Sequence, residues 1–433
     1  MPDYEPVLLR NVGVEGSTTL PVYRKRGGYR ALAKALKMSP QEVTEEVKAA
    51  ELRGRGGAGF PAGVKWGFLP RDRTVTYLCV NADESEPPTF SNRVLMEHDP
   101  HQLIEGTIIA AWATQARVAY IYMRVEFHEP FHILQHAIDE AYAAGLLGKN
   151  LLGSGYDLQM YIHRGAGAYI CGEETGLIES IEGKRGWPRI KPPFPAIEGL
   201  FRRPTVVNNV ETLCNVVHIL ERGAQWFTSI GPAGSYGPKL FCVCGPVNRP
   251  GCYEGPMTIT VRDLIHGDAW GRGMIDDRGV KAVLPGGISM GILTGDELNM
   301  KMDFADPLKY GLLGLGTAAA VVINEDTDIR VVLRNITRFF AHESCGQCTQ
   351  CREGTSWSYK IARRIAAGRG RPEDLDILAE TAGNLGMMPG LSICGLSDGA
   401  AFPIRTLVQK FRGELEGYIR ANCGVRMAQP VSE

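Results

Sequence analysis

A chain of 433 residues with 47 basic and 48 acidic side chains is long enough for two or three cores, and it carries no net field that would draw it to nucleic acid. No apolar run approaches the ~20 residues that a membrane span needs, and the first residues lack the basic-then-apolar pattern of a signal peptide. Eleven cysteines, an odd number in so long a chain, do not read as a disulfide framework. The expectation is a soluble protein of a reducing compartment, with no direct membrane span.

In chain order, "SPQEVTEEVKAAEL" (39–52) predicts a helix. Ser39 and Glu42 form a capping box, Pro40 takes the first helical position, and Val43 and Val47 share a face. Strands are expected at "VTYLCVN" (75–81) and "VAYIYMRV" (118–125). A buried helix is expected between them over 101–115, and a second after them over 130–145, ended by Gly145. Strands alternating with helices predict a layered α/β domain over residues 1–237. Glycine and proline crowd residues 231–256 and suggest a boundary. Short pieces such as "KLFCVCGPV", "TITVRDLI" and "AAAVVIN" predict a small β-rich α+β domain over 238–327, and the pattern turns helical over 328–433.

Within that helical part lies "ESCGQCTQC" (343–351), which spaces Cys345, Cys348 and Cys351 two residues apart. A short loop of this kind turns its thiolates toward one centre. Cys394, in "LSICGLSD", is the expected fourth ligand. Zinc sites usually pair two C-x-x-C arms, whereas a triplet with one remote cysteine suits a [4Fe–4S] cube, one thiolate per iron. A zinc-stabilised scaffold is the alternative. The remaining cysteines (79, 171, 214, 242, 244, 252 and 423) read as small hydrophobes.

Four loops of the first domain look like ligand loops. "LRGRGGAGFPAGVKWGF" (52–68) holds a formal G-x-G-x-x-G, but a helix rather than a strand precedes it, so the ordinary dinucleotide fingerprint fits poorly. Its glycines still let backbone N–H groups approach an anion, Arg55 and Lys65 add charge, and Phe60, Trp66 and Phe68 offer flat surfaces. "CVNADESEPPTF" (79–90) ends a strand in Asn81, Asp83, Glu84 and Glu86, where α/β folds place ligand contacts. "RGAGAYICGEETGLIES" (164–180) leads into Glu173 and Glu174 at a helix start, and "TVVNNVET" (205–212) offers the amides of Asn208 and Asn209. Together they point to an organic redox cofactor beside a metal cluster.

The stretches "RGRGGAGFPAGVKW", "NADESEP", "GAGAYICGEET", "KPPFPA", "NNVETL" and "ESCGQCTQCREG", in this order over nearly the whole chain, resemble the flavin-bearing, NADH-binding subunit of respiratory complex I (the F subunit of NADH:quinone oxidoreductase) and its diaphorase relatives. The resemblance implies a Rossmann-like FMN domain, a ubiquitin-like β-grasp domain and a helical bundle holding one [4Fe–4S] cluster on Cys345, Cys348, Cys351 and Cys394. It implies an FMN site of Gly54, Arg55, Gly56, Lys65, Asn81, Asp83, Gly172, Glu173, Asn208, Asn209 and Thr212. NADH would stack over the flavin against Phe60, Phe68 and Phe194, with Lys65, Glu86, Tyr169 and Glu174 around it.

The activity so implied is NADH dehydrogenation: hydride passes to FMN, and electrons pass singly to the cluster and on to partner chains. No residue serves as a general base. The implied partners are a thioredoxin-like [2Fe–2S] subunit and a larger multi-cluster subunit, at the inner face of the plasma membrane on its cytoplasmic side. The alternative within the family is the diaphorase subunit of an NAD-linked hydrogenase or formate dehydrogenase. One departure stands out. The family usually reads E-P-G-T-F-K-D-R where this chain has "EPPTFSNR", so Pro88, Ser91 and Asn92 replace Gly, Lys and Asp.

Overall fold

Ser39 opens the first long helix as its sequence predicts. Its hydroxyl accepts the Glu42 N–H at 3.2 Å, the Glu42 carboxylate accepts the Ser39 N–H at 2.7 Å, and Pro40–Ala49 follows with Val43 and Val47 fully buried. The computed structural model describes residues 4–70, 75–386 and 392–423. These fall into two compact units: residues 1–85, 89–242 and 251–259 form one, and 86–88, 243–250 and 260–433 the other. No helix among the described residues is long and apolar enough to cross a membrane.

The first unit is built on a parallel sheet of β1 (Tyr77–Ala82), β2 (Val118–Met123), β3 (Gln159–Arg164) and β4 (Thr205–Asn209), in the spatial order β3-β2-β1-β4. One face, with Leu78, Val80, Ala82, Ala119, Ile121 and Met123, is sealed from water, as strands covered by crossover helices must be. The predicted central helix is Pro100–Thr114, buried nearly all round, and its successor is His128–Ala143, with Gly145 at φ +68° beyond its end. Since β2 and β3 lie to one side of β1 and β4 to the other, the chain reverses direction across the sheet between β1 and β4. In an open α/β sheet that is where a crevice opens at the strands' C-terminal ends. This is the layered α/β domain the strand–helix alternation predicts, in the Rossmann-like form the family resemblance implies.

Two buried polar groups brace this unit. Lys239, on β5 (Pro238–Cys244), and Glu211 are both essentially inaccessible. Their ammonium and carboxylate meet at 2.7 Å, and Glu211 also accepts the Leu240 N–H at 2.9 Å. Asp99 accepts from the side-chain amides of Asn11 at 2.7 Å and Gln102 at 3.0 Å, and Gln102 in turn meets the imidazole of His218 at 2.7 Å. Burial lifts the Asp99 carboxyl to about 7, against the lowering pull of Asn11 and Arg10. An acid raised in the fold binds its proton more tightly there than in the unfolded chain. Its stabilising share is therefore complete below about pH 4 and is lost as pH rises toward 7. Asp99→Asn is expected to flatten the fall in thermal midpoint over that window, read from melts at successive pH values.

The second unit takes over partway along β5. It includes the antiparallel pairing of β6 (Val280–Leu284) with both β7 (Leu293–Thr294) and β8 (Ala319–Asn324), followed by helices Ile329–Glu343, Thr349–Ala366, Asp374–Leu385, Leu396–Lys410 and Arg412–Cys423. The stretch "TITVRDLI" turns into a helix, Val261–His266. Thr260 and Asp263 form a second capping box there, a signal stronger than the β-branched residues before it. Of the isolated thiols, Cys79, Cys171, Cys214 and Cys242 are buried, Cys244 and Cys252 partly so. The Cys423 side chain lies outside the described ones.

Candidate functional site

The glycine loop lies over the C-terminal end of β4. The Arg55 N–H donates to the Thr212 hydroxyl at 2.9 Å, the Trp66 indole to the Asn208 side-chain oxygen at 2.8 Å, and the Lys65 ammonium to the Val207 backbone carbonyl at 3.3 Å. A side chain on Gly56 would bring its Cβ within 3.0 Å of the Asn209 Cβ, and one on Gly172 within 3.3 Å of an Asp83 oxygen. Backbone is thus pressed against strand ends where a planar, phosphate-bearing ligand needs close approach. This cradle, rimmed with amides and one lysine, fits FMN.

Other predicted residues converge on the same edge, because β1 and β4 run parallel with Asn81 opposite Asn209. The Asn81 amide donates to the Gly172 carbonyl at 2.7 Å, tying the strand end to the loop that follows β3. Glu173 caps helix Glu174–Ile181, accepting the Thr175 and Gly176 N–H groups at 2.8 and 2.9 Å. Glu174 stands between two cations, Lys65 at 3.3 Å and Lys191 at 2.7 Å, and Lys191 also reaches Glu173 at 3.0 Å. Burial works to raise the Glu174 carboxyl, but the two ammonium groups outweigh it and leave the acid below its usual range. Burial likewise lowers Lys191, and its two carboxylates more than restore it. The pairing favours the anionic form of Glu174.

Phe60 and Phe68 face each other 5.9 Å apart, and with Phe194 they are about half exposed, large apolar rings left open to water. Tyr169 begins the short helix Tyr169–Gly172 that leads into Glu173. Arg55 is placed differently from its expected role. Its guanidinium is buried, donates to the Tyr236 carbonyl at 2.6 Å and lies 3.6 Å from the Met257 sulfur; burial pulls it down to about 10 despite Glu211. Only its backbone faces the loop's partners. Gly54 closes the loop through its N–H to the Phe60 carbonyl at 2.9 Å. Glu86 belongs to the second unit, where its carboxylate accepts from the Ser289 N–H at 2.8 Å and hydroxyl at 2.6 Å.

Lys191 is a residue the sequence reading missed. It stands in "KPPFPA", but nothing local marks it, since its partners come from a loop 17 residues away. Two positions of the unusual segment also reach this edge. Ser91 and Asn92 start helix Ser91–His98, whose Asn92 and Arg93 N–H groups donate to Glu84 at 2.7 and 2.9 Å. The Asn92 side-chain carbonyl accepts the Asn209 amide at 2.6 Å, wiring the departure from the family pattern to the crevice.

In the second unit Cys348 immediately precedes helix Thr349–Ala366, and Cys351 lies in its first turn. The Ile393 N–H points to the Cys348 sulfur at 3.5 Å, bringing the Cys394 loop beside the triplet. The Ser344 hydroxyl lies 3.3 Å from the Cys351 sulfur. Burial raises the Cys351 thiol, and Cys345 and Cys348 add to it at close range. No three such side chains among the described residues are drawn together as tightly as a bound ion would hold them. A donor set of thiols alone, on two converging loops, nonetheless suits an iron–sulfur cluster rather than a hard cation.

The Nuo51 FMN-binding domain model matches residues 47–218, and the NADH-ubiquinone oxidoreductase-F iron–sulfur binding region model matches residues 331–418. The chain is 50% identical over 418 residues to the second NADH-quinone oxidoreductase F subunit of Rhizobium meliloti (strain 1021), covering 96% of this chain and 98% of that protein. It is 49% identical over 383 residues to the mitochondrial NADH dehydrogenase [ubiquinone] flavoprotein 1 of Dictyostelium discoideum, covering 87% and 79%. Among solved structures, an NAD+-reducing [NiFe]-hydrogenase in the H2-reduced state is similar with a TM-score of 0.81 at 37% identity. That match covers 92% of this chain and 66% of the hydrogenase chain. With a crevice that fits FMN, two converging cysteine loops, both family models and a relative 50% identical over 96% of this chain, the chain belongs to the family of NADH-quinone oxidoreductase F subunits.

Proposed function

We propose that the protein is the electron-input subunit of a complex I: it oxidises NADH at the crevice of its first unit and delivers the electrons through its cluster to partner chains. The observation that carries this most is the glycine loop pressed onto Asn209 and Thr212 at the reversal of the sheet, with the Lys65–Glu174–Lys191 group beside it. Bound FMN supplies a hydride acceptor, and the [4Fe–4S] cluster on Cys345, Cys348, Cys351 and Cys394 supplies one-electron transfer. The chain's own residues bind and align. Asn81, Asp83, Gly172, Asn208 and Asn209 frame the flavin, Lys65 and the loop backbone from Gly54 to Gly56 hold anionic groups, and Tyr169 and Glu174 border the nicotinamide. Hydride transfer leaves no proton for a carboxylate to take, so Glu173 and Glu174 serve as charged supports.

Exposed Phe60, Phe68 and Phe194 would cover the adenine. Aromatic stacking on a base is worth ~1–3 kcal/mol, and it acts equally before and during the chemistry. Phe68→Ala is therefore expected to raise KM for NADH about tenfold with kcat little changed, in steady-state assays of FMN-loaded protein.

The finer architecture belongs to the same proposal: an FMN domain to about residue 237, a β-grasp domain to about 327, and a helical cluster domain after it. So do a thioredoxin-like [2Fe–2S] partner, a larger multi-cluster partner and a place at the inner face of the plasma membrane. The hydrogenase-diaphorase reading has the solved structure in its favour, but the chain spans 66% of that hydrogenase chain against 98% of the rhizobial protein. The direct test is NADH oxidation by the purified protein with ferricyanide as acceptor. Turnover is expected to rise with FMN occupancy, and FMN-loaded protein that is inert would sink the proposal.

A further inference from the structure

A cleft of about 590 Å³ in the first unit is lined by four cations, Arg10, Lys25, Arg26 and Arg222, and two acids, Glu5 and Glu15. It lies away from the flavin crevice. Thr212 stands in the first turn of helix Val210–Arg222 and Arg222 ends it, about 15 Å farther along the axis. The negative pole of that helix accounts for a cation at Arg222, but not for three more.

The guanidinium groups are held by contacts that leave their charge unspent. Arg26 donates to the Asn11 side-chain oxygen at 2.5 Å and to the Arg10 carbonyl at 2.9 Å. The Arg222 guanidinium lies 4.9 Å from the centre of the Trp226 ring. Arg10 has Glu221 at 3.8 Å, and its buried Nε finds no acceptor among the described residues. Lys25, Arg26 and Arg222 have no carboxylate partner among those residues, and Glu5 and Glu15 have no cation partner, although all five line one cleft. Burial holds the nearby His218 imidazole well below its ordinary value, and Arg10 and Arg222 add to it, so their positive field is not cancelled locally.

Fixed guanidinium forks without carboxylates suit phosphate, because the planar fork matches two phosphate oxygens at once. The volume is that of a small-molecule site. The apolar lining, Pro6, Val14 and Val22, holds no aromatic ring on which a nucleobase would stack. The unpaired carboxylates of Glu5 and Glu15 accept from hydroxyl groups and repel a bare polyphosphate. We infer that this cleft is a second ligand site, separate from the flavin crevice, for a hydroxyl-bearing organic phosphate of the sugar phosphate class. Arg10, Arg26 and Arg222 hold the phosphate, Lys25 adds charge, and Glu5 and Glu15 take the hydroxyls. The inference needs neither flavin nor cluster and stands apart from the electron-input function.

Calorimetric titration of the FMN-loaded protein with ribose phosphate tests it. Binding is expected to persist in saturating NAD+ and to exceed that of inorganic phosphate. Lys25→Glu/Arg222→Glu should weaken it about tenfold or more, the loss expected when charge-assisted contacts are removed. Arg222→Ala, a milder change at the same place, should weaken it in the same direction. Lys25 and Arg222 are exposed, so the variants are expected to keep the wild-type thermal midpoint and NADH:ferricyanide rate. No binding to the wild type at millimolar ribose phosphate would overturn the inference, as would unchanged affinity in both variants. Displacement by NAD+ would also overturn it, since the ligand would then sit in the flavin crevice. Equal affinity for inorganic sulfate would show adventitious anion binding only and overturn it as well.

Discussion

Cys348→Ala is expected to remove the cluster and stop NADH-driven quinone reduction in the complex, while the protein still binds FMN and reduces ferricyanide. In the proposed ligand set each iron corner takes one thiolate, so loss of one leaves a corner open. Cys348 is the most telling of the four because it sits where the loops meet, receiving the Ile393 N–H at 3.5 Å just before Cys394. The flavin crevice belongs to the other unit and shares no residue with this centre. Iron and sulfide analysis with low-temperature EPR checks the first half, and the paired quinone and ferricyanide assays check the second. A variant that keeps both its cluster signal and its quinone activity would remove Cys348 from the ligand set.

The largest effect on stability is expected at Lys239. Its ammonium and the Glu211 carboxylate meet at 2.7 Å with the two side chains 1% and 0% exposed, and the Leu240 carbonyl and N–H complete the bonding at 2.8 and 2.9 Å. Lys239→Met leaves a carboxylate in the core with its counter-charge gone, an error that costs about 3–5 kcal/mol. The double variant Lys239→Met/Glu211→Gln removes the stranded charge and should recover much of that loss. Chemical denaturation of the wild type, both single variants and the double variant forms the cycle that checks it. Equal loss in the single and double variants would mean that the pair is not what the core depends on.

Some of this was legible in the sequence because its cause is local. The capping box at Ser39, the closing glycine of helix His128–Ala143 and the two-residue spacing of the cysteines each act within a few residues. The loops after β1 and β4 were marked by polar residues ending apolar strands, and the parallel pairing puts them on one edge. What escaped depends on distant partners. Arg55 stands among glycines and reads as a phosphate ligand, yet the fold offers its guanidinium the Tyr236 carbonyl, 181 residues on. Lys191 hides in a proline-rich stretch and gains its role only when helix Glu174–Ile181 presents two carboxylates. The Asn92–Asn209 contact spans 117 residues, so the altered loop could be noticed in the sequence but not connected to the crevice.

That connection bears on the chemistry. Where the family resemblance implies Lys and Asp, this chain has Ser91 donating to Glu84 at 3.2 Å and Asn92 accepting from Asn209 at 2.6 Å, so two uncharged side chains hold these contacts.

The central claim is that this chain takes electrons from NADH and holds them on its own cluster. An anaerobic titration of the purified holoprotein with NADH, followed by visible absorbance for the flavin and low-temperature EPR for the cluster, tests it most directly. The expected result is loss of the oxidised-flavin absorbance and growth of a reduced [4Fe–4S] signal. Protein that carries both FMN and a cluster yet changes in neither, or that carries zinc and no flavin, would contradict it.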